Sequence, residues 1–238
     1  MNSSLNFKFI IGIIYLVIFS IGMYFLFSFI DIKDLTNYEF IKSNREIIYK
    51  YKNENFLLLI IIFVIFSIIW ILLLGFVLPL LILSGFVFGK WWGTLIVVTS
   101  IAIGATLLYM LANFFFRNVI KKKLVPKFYK LKKFFIKNDI LYFMIIRFFG
   151  GIPFQIQNIL PVLFDMRVKN YFFATLVGCM PTMFISVAIG SGIGDVIKQN
   201  DKLSFLSVLS SPEIFIPIIA FISILFAAFI VRKLYFKQ

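Results

Sequence analysis

Arg147 is the residue whose type and setting point most directly to chemistry. It is the only charged residue between Asp139 and Asp165, and the sequence around it is apolar and aromatic. A charge in such a run costs about 2.5–3.5 kcal/mol on insertion scales, so it normally has a partner or a function. Two interpretations stay open: a guanidinium that binds a phosphate with two hydrogen bonds, or an arginine that snorkels to the membrane interface.

Three amide side chains follow this arginine and lie between two prolines, Pro153 and Pro161. These side chains, with the carbonyls that the prolines leave free, would give a polar substrate a path through the membrane. The alternative is that the amides hydrogen-bond the broken backbone, which needs such partners in any case. The predicted substrate-binding residues are Arg147, Pro153, Gln155, Gln157 and Asn158.

The composition places these residues in a membrane protein. Of the 238 residues, 62% are hydrophobic and 14% are charged, and the mean hydropathy is +1.03; a soluble domain is about half apolar and a quarter charged. The chain has no histidine, one cysteine (Cys179) and ten carboxylates. Because histidine-based catalysis, an intramolecular disulfide and thiolate metal clusters are excluded, we predict no enzyme activity, no catalytic residues, no metal and no cofactor.

The net charge of +14 suggests two kinds of binding partner for the protein, nucleic acid and anionic lipid. On a chain this apolar, lipid headgroups explain the charge better, so we predict lipid partners and no nucleic acid. In the most basic segment, apolar residues recur at helical spacing while lysines share another face, which predicts an amphipathic helix on an anionic leaflet. Its membrane-surface lysines are Lys123, Lys127, Lys130 and Lys137.

Charge-free stretches divide the chain into three parts. Residues 1–55 are predicted to form an N-terminal anchor helix and an external loop. Residues 196–238 are predicted to form an external loop, a last span and a cytoplasmic tail, and residues 56–195 form the membrane domain. The predicted elements of that domain are a hairpin at 56–90, a span at 91–116, a basic interfacial helix at 117–139, a hairpin at 140–168 and a span at 170–190.

Both predicted hairpins are interrupted by glycine and proline. The uncharged run 55–89, which contains Pro79 and Gly85, has 35 residues, too many for one span of about 20 and too few for two spans with a turn. Broken helices at membrane depth occur only where protein or water satisfies the backbone, so we predict re-entrant hairpins. Where the second hairpin ends, Asp165 and Arg167 are expected to form an interfacial ion pair, with a gating or proton-linked pair as the alternative.

The distribution of charge gives a topology. With the basic segment and both termini in the cytoplasm, most Lys and Arg residues lie inside, as the positive-inside rule requires. Eight of the ten acidic residues then lie outside. The two hairpins then enter from opposite sides, which is an inverted repeat. Pro79 precedes Gly104 by the same 25 residues that separate Pro153 from Gly178. The predicted fold is an all-α polytopic membrane protein, a helical bundle with two opposed re-entrant hairpins in an inverted repeat.

The order of these motifs resembles that of the VTT-domain proteins, also called DedA-like or SNARE-associated, and within them the branch that includes the eukaryotic Golgi protein. The second half has Arg147 before Phe-Phe-Gly-Gly-Ile-Pro153, followed by Asn158. The hairpin and structural motif residues are Pro79, Gly85, Gly89, Gly104, Gly178 and Pro181. One departure concerns acidic residues near the first hairpin, which DedA proteins are expected to use, because this chain has no carboxylate between Glu54 and Asp139.

The resemblance implies facing re-entrant hairpins and lipid handling, either phospholipid scrambling or the transport of polyprenyl phosphates. We therefore predict a flippase or scramblase for an anionic, phosphate-bearing lipid. The alternatives are an ion-coupled secondary transporter of a small solute and a non-transporting membrane organiser that recruits partners through residues 117–137. The abundance of Phe, Ile, Lys and Asn, with little Ala, indicates an AT-rich microbial genome and a bacterial plasma membrane. The sequence also leaves open whether the chain forms homo-oligomers.

Overall fold

The computed structural model of the chain describes residues 49–73, 75–149 and 152–198, with isolated helical residues at 17, 20, 21, 212, 215, 216, 219, 222 and 223. The chain divides into two compact units, Met1–Asn55 and Phe56–Gln238. Residues 49–54 of the first unit are helical. The predicted anchor helix, the last span and the tail fall almost wholly outside the described residues.

The second unit is built from helices, and no strand occurs in the described part of the chain. This agrees with the predicted all-α fold class. The elements are α1 (Phe56–Leu72), α2 (Val77–Phe88), α3 (Lys90–Lys137), α4 (Asp139–Phe149), α5 (Phe154–Ile159), a 3-10 helix (Leu160–Phe164) and α6 (Val168–Lys198).

Two of these helices are long and apolar enough to cross a membrane, by length and composition. They are Lys90–Asn118 within α3 and Val168–Ile193 within α6, and they coincide with the apolar runs 91–116 and 170–190. Helix α3 continues to Lys137 without a break, so the predicted span and the predicted interfacial helix are parts of one helix. The side chains of its four membrane-surface lysines lie outside the described set.

The same order of elements occurs twice: a helix, a break, a shorter helical arm and a long helix. At the first break, the indole nitrogen of Trp70 donates a hydrogen bond of 2.8 Å to the carbonyl of Phe76. Pro79 is the third residue of α2, a position in the first helical turn where the missing N–H costs no intrahelical bond. The break predicted from glycine and proline thus lies just before Pro79.

The core lies where α2, α3 and α6 meet. Helix α2 packs against both long helices, α1 packs against α3, and α4 packs against α6. The closest approach joins α2 to α6, because a Cβ atom at Gly85 would overlap the carbonyl of Val187 and one at Gly190 would overlap the carbonyl of Ile82. Gly85, predicted as part of a helix break, therefore lies inside a regular helix and permits this contact.

The outer surface of the unit is apolar. Helix α1 exposes Leu57, Leu58, Ile61, Ile62 and Ile65, each more than half exposed. Contiguous exposed apolar surface of this kind marks a face that contacts lipid or protein. This surface and the two long apolar helices account for the high mean hydropathy of the chain.

Candidate functional site

The candidate site is centred on Arg147, in the last turn of α4. The residue is 4% exposed. Its location follows from a close helix contact: a Cβ added at Gly178 of α6 would lie 2.9 Å from the Cβ of Arg147, so only a glycine lets α4 approach this near. The guanidinium lies inside the protein and contacts three different helices, whereas the snorkelling interpretation requires it to reach the surface.

Neutral oxygen atoms surround the guanidinium. Nη2 of Arg147 donates hydrogen bonds of 2.7 Å to Oδ1 of Asn158 and of 2.7 Å to the hydroxyl of Tyr171. Nη1 donates a longer bond of 3.3 Å to Oε1 of Gln157. Asn158 and Gln157 are themselves buried, at 1% and 4% exposure. The structure thus brings together three of the predicted site residues.

These partners are fixed by a second set of hydrogen bonds. The amide nitrogen of Gln157 donates to the carbonyl of Ile152 at 2.7 Å, and the hydroxyl of Tyr171 donates to Oδ1 of Asn158 at 3.1 Å. The backbone nitrogens of Ile156 and Gln157 bond the carbonyl of Pro153, at 2.9 and 3.0 Å. Pro153 therefore begins α5 and orients the two amides rather than contacting the guanidinium itself.

Three aromatic rings enclose the guanidinium carbon. Their centroids lie 4.7 Å (Phe154), 4.9 Å (Phe143) and 5.5 Å (Tyr171) from it, within the range of cation–π attraction. Tyr171 also stacks on Tyr109 of α3, with ring centroids 4.8 Å apart. The cation therefore lies in a cage of rings and amides that hold it in place.

The charge of Arg147 has no ionic partner among the described residues: no carboxylate there forms an ion pair with it. Its Nε atom and the buried Oγ1 of Thr175, one turn along α6 from Tyr171, also have no hydrogen-bond partner in the described set. A buried charge that is only partly satisfied is costly. One donor of the guanidinium, Nε, therefore remains available to a further acceptor.

The remaining predicted residues lie elsewhere. Gln155 is half-buried, and Pro153 is exposed. Among the motif residues, Gly89 ends α2 with φ of +80°, and a Cβ at Gly104 would lie 3.0 Å from the Cβ of Ile71. Pro181 is an exposed residue within α6. Within the described chain, no three Cys, Asp or Glu side chains are grouped to hold a metal ion.

Sequence reasoning missed Tyr171 and Thr175. The available signal was their spacing, because Tyr171, Thr175 and Gly178 recur at i, i+4 and i+7 in an apolar run and so share one face of a helix. Sequence reasoning also paired Asp165 with Arg167. The structure pairs Asp165 with Arg117 of α3, at 2.5 Å between two half-exposed side chains.

The chain has relatives in bacteria and eukaryotes. It is 28% identical over 184 residues to the Transmembrane protein 41 homolog of Dictyostelium discoideum, covering 73% of this chain and 53% of that protein. It is 29% identical over 128 residues to the uncharacterized protein YqeD of Bacillus subtilis, covering 53% and 59%. A Transmembrane protein 41 homolog of Caenorhabditis elegans is 24% identical over 187 residues, covering 76% and 75%. The chain thus spans little more than half the length of the first two.

No solved structure matches the chain. The sequence model of the VTT domain matches residues 74–192. That range is half of the chain, and it contains α2, the first long apolar segment, all but the last residue of the second, and every residue of the Arg147 cage. The chain therefore belongs to the VTT-domain family of membrane proteins.

Proposed function

We propose that this chain is a lipid transporter, a flippase or scramblase that moves an anionic, phosphate-bearing lipid such as a phospholipid or a polyprenyl phosphate. The observation that carries the proposal is the buried guanidinium of Arg147, which has only neutral hydrogen-bond partners in the described structure. A phosphate matches the geometry of a guanidinium and forms charge-assisted bonds about twice as strong as neutral ones. Membership of a membrane-protein family supports a role in the bilayer.

The proposed membrane arrangement is the inverted repeat with two re-entrant hairpins. The second arms support it: α2 has 12 residues, about 18 Å at 1.5 Å per residue, which is far short of a hydrocarbon core of about 30 Å. Helix α5 and the 3-10 helix together are no longer. We place the chain in a bacterial plasma membrane as a multi-pass protein, because of its composition. Both termini are placed in the cytoplasm because of the charge distribution.

In the proposed mechanism, the lipid phosphate replaces part of the neutral cage. Nη1, Nη2 and the unpartnered Nε of Arg147 donate to phosphate oxygens, and the amide groups of Gln157 and Asn158 rotate to donate as well. The hydroxyl of Tyr171, which bonds Asn158 in the structure, is a further donor. The headgroup then crosses beside α5 while the acyl chains remain in lipid. The cage stabilises the phosphate without holding a compensating negative charge.

The test is lipid translocation in proteoliposomes without any gradient, followed in parallel for a fluorescent phospholipid and a polyprenyl phosphate. Arg147→Ala should slow the movement of the transported lipid at least about tenfold, since the loss of a charge-assisted bond is worth a decade or more in equilibrium terms. The charge-matched control is Lys122→Ala, which removes one exposed cation and should leave the rate unchanged. Arg147→Ala at the wild-type rate would overturn the phosphate role.

Asn158→Asp separates charge from shape. The new carboxylate would lie where the amide oxygen accepts from Nη2 at 2.7 Å, so it neutralises the guanidinium and keeps the size of the side chain. We expect the protein to remain folded and lipid movement to fall as far as in Arg147→Ala. If movement persists in Asn158→Asp, the site does not bind an anion. Movement of neither lipid by correctly inserted wild type would favour the gradient-driven solute transporter.

A further inference from the structure

The basic end of α3 contacts the second hairpin. The part of α3 that is long and apolar enough to cross a membrane ends at Asn118, and the helix continues to Lys137. We call residues 119–137 the basic arm, because this stretch has eight lysines and no acidic residue. Like charges three or four residues apart destabilise a helix, so the arm depends on packing against the rest of the protein.

Phe135 supplies such packing. Its side chain is 4% exposed, although lysines precede and follow it in the sequence. The ring stacks on that of Phe164, with centroids 4.2 Å apart and an angle of 22° between the planes. It also packs on the ring of Phe143, with centroids 6.4 Å apart. Because aromatic pairs contribute stability beyond the area that they bury, Phe135 docks the arm on the second hairpin.

This contact requires a bend in α3. A chain of ring contacts joins Phe135 to Tyr109 of the same helix; it runs through Phe143 and Tyr171, with successive centroids 6.4, 5.1 and 4.8 Å apart. These three steps place the first and last rings at most about 16 Å apart. In a straight helix, the 26 positions from 109 to 135 would span about 39 Å. The arm therefore folds back, and Pro126 lies in the bent stretch, where proline is a common cause of a helix kink.

Phe135 contacts both walls of the Arg147 cage. Phe143 belongs to α4, and its ring centroid lies 4.9 Å from the guanidinium carbon. Phe164 ends the 3-10 helix, which continues directly from α5, the helix that carries the two amides bonded to the guanidinium. One side chain of the arm thus joins the element that supplies a ring to the element that supplies the amides.

We propose that Phe135 is a positioning residue for the Arg147 site. Among the described residues, the rings within cation–π range of the guanidinium are those of Phe143, Phe154 and Tyr171, so Phe135 acts through Phe143. By holding Phe143 and the 3-10 helix together, the docked arm sets the orientation of the guanidinium. The inference rests on the proposed function, because it concerns the cation to which the lipid phosphate would bind.

The test observes the guanidinium directly by NMR. The full chain, labelled with 15N-arginine in nanodiscs, has five arginines, and Arg147→Lys identifies the Nε–H signal of Arg147 by its loss. Ring currents from the three enclosing rings displace this signal from that of an exposed arginine. Phe135→Ala should move the signal toward the exposed value and should slow lipid movement in proteoliposomes at least about fivefold, as expected for the loss of two aromatic contacts.

Two variants separate positioning from a general loss of stability. Phe135→Leu keeps apolar surface but not the ring, so it should move the signal in the same direction by a smaller amount. The matched control is Phe88→Ala, because Phe88 is also 4% exposed and also packs on two rings, those of Phe56 and Phe63 at 6.2 and 5.3 Å. These rings lie in the first half of the bundle. Phe88→Ala should therefore lower the thermal unfolding midpoint and leave the Arg147 signal in place.

Three results would overturn the inference. The first is an unmoved Arg147 signal in folded Phe135→Ala, or in Phe135→Leu if the alanine variant does not fold. The second is an equal displacement of the signal in Phe88→Ala, which would mean that any loosening of the core moves the guanidinium. The third is a displaced signal with lipid movement at the wild-type rate. If wild type itself moves no lipid, the proposed function fails, whereas a displaced signal in Phe135→Ala still supports the positioning role.

Discussion

In the first half of the bundle, Gly104 of α3 packs against Ile71 of α1. In the second half, Gly178 of α6 packs against Arg147 of α4. A Cβ at Gly104 would lie 3.0 Å from the Cβ of Ile71, and one at Gly178 would lie 2.9 Å from the Cβ of Arg147. The two helix pairs therefore form at the same separation. An isoleucine in one half and an arginine in the other occupy equivalent places.

The surrounding residues extend the comparison. Pro79 and Gly104 have the same spacing as Pro153 and Gly178. When the two halves are aligned on these residues, Asn158 is equivalent to Ser84 and Tyr171 is equivalent to Val97. Ser84 donates to the carbonyl of Gly93 at 2.8 Å, so it stabilises its own turn, and Val97 is fully buried. In the second half, the equivalent polar groups point to one cation.

The first half shows that this helix contact forms without an ionisable residue. Ile71 is 1% exposed and fills the position with apolar surface, which stabilises a helix pair at no electrostatic cost. Packing alone therefore does not require Arg147, whose burial is unfavourable. This difference between the halves is the reason for placing the proposed phosphate site in the second one.

The largest expected effect comes from separating the two halves. In Gly85→Ala and in Gly190→Ala, the new methyl group would overlap a backbone carbonyl of the facing helix, Val187 or Ile82, and backbone atoms cannot move aside as a side-chain tip can. We expect each variant to lose about 1–3 kcal/mol or more, and lipid movement with it. Thermal unfolding in detergent measures this, with Ser186→Ala on α6 as the control. A wild-type unfolding midpoint for Gly85→Ala would show that the contact is looser.

A smaller effect on stability, with a large loss of lipid movement, is expected when the second half is given the side chains of the first. The variant exchanges three residues for their first-half equivalents: Arg147→Ile, Gln157→Leu and Asn158→Ser. Replacing a buried charge by apolar groups is often neutral or stabilising, whereas Arg147→Ala alone leaves buried amides unpaired at about 1–3 kcal/mol each.

The triple variant should therefore unfold near the wild-type temperature, above Arg147→Ala, and should move lipid at least about tenfold more slowly than wild type. Thermal unfolding and the proteoliposome assay check the two parts separately. Lipid movement at the wild-type rate in the triple variant would mean that the polar cage has only a structural role.

The sequence was sufficient for features that depend on composition and on local order. High hydropathy and long apolar runs predicted helices. The order of Arg147, Pro153 and Asn158 was sufficient to identify the family. The same pattern placed Gln157 and Asn158 near the arginine, because they are only 10 and 11 residues away from it.

Contacts between distant segments could not be predicted in this way. Tyr171 is 24 residues from Arg147, and Arg117 is 48 residues from Asp165, so the pairing depends on how long helices rotate and cross. Gly85 had a local interpretation as a helix breaker. Its role in the contact with α6 is visible only when both helices are placed, since glycine serves either purpose.

The smallest expected effects concern the residues that end the second arm of each half. Gly89 (φ +80°, ψ 174°) and Asp165 (φ +52°, ψ 40°) both have positive φ. The conformation of Gly89 is essentially restricted to glycine, whereas that of Asp165 is the left-handed region, which aspartate tolerates.

Gly89→Ala should therefore lower stability by about 1–3 kcal/mol, and through backbone strain alone, because a Cβ there meets no atom within 4 Å. Asp165→Gly should change stability by less than about 1 kcal/mol, since it relaxes the backbone and the ion pair with Arg117 that it removes is half-exposed. Thermal unfolding of both variants measures the difference, and Asp165→Asn, which keeps the backbone preference and removes the charge, isolates the ion pair. Equal midpoints for Gly89→Ala and Asp165→Gly would show that the two halves end their arms under the same constraint, and the asymmetry between them would then be confined to the Arg147 cage.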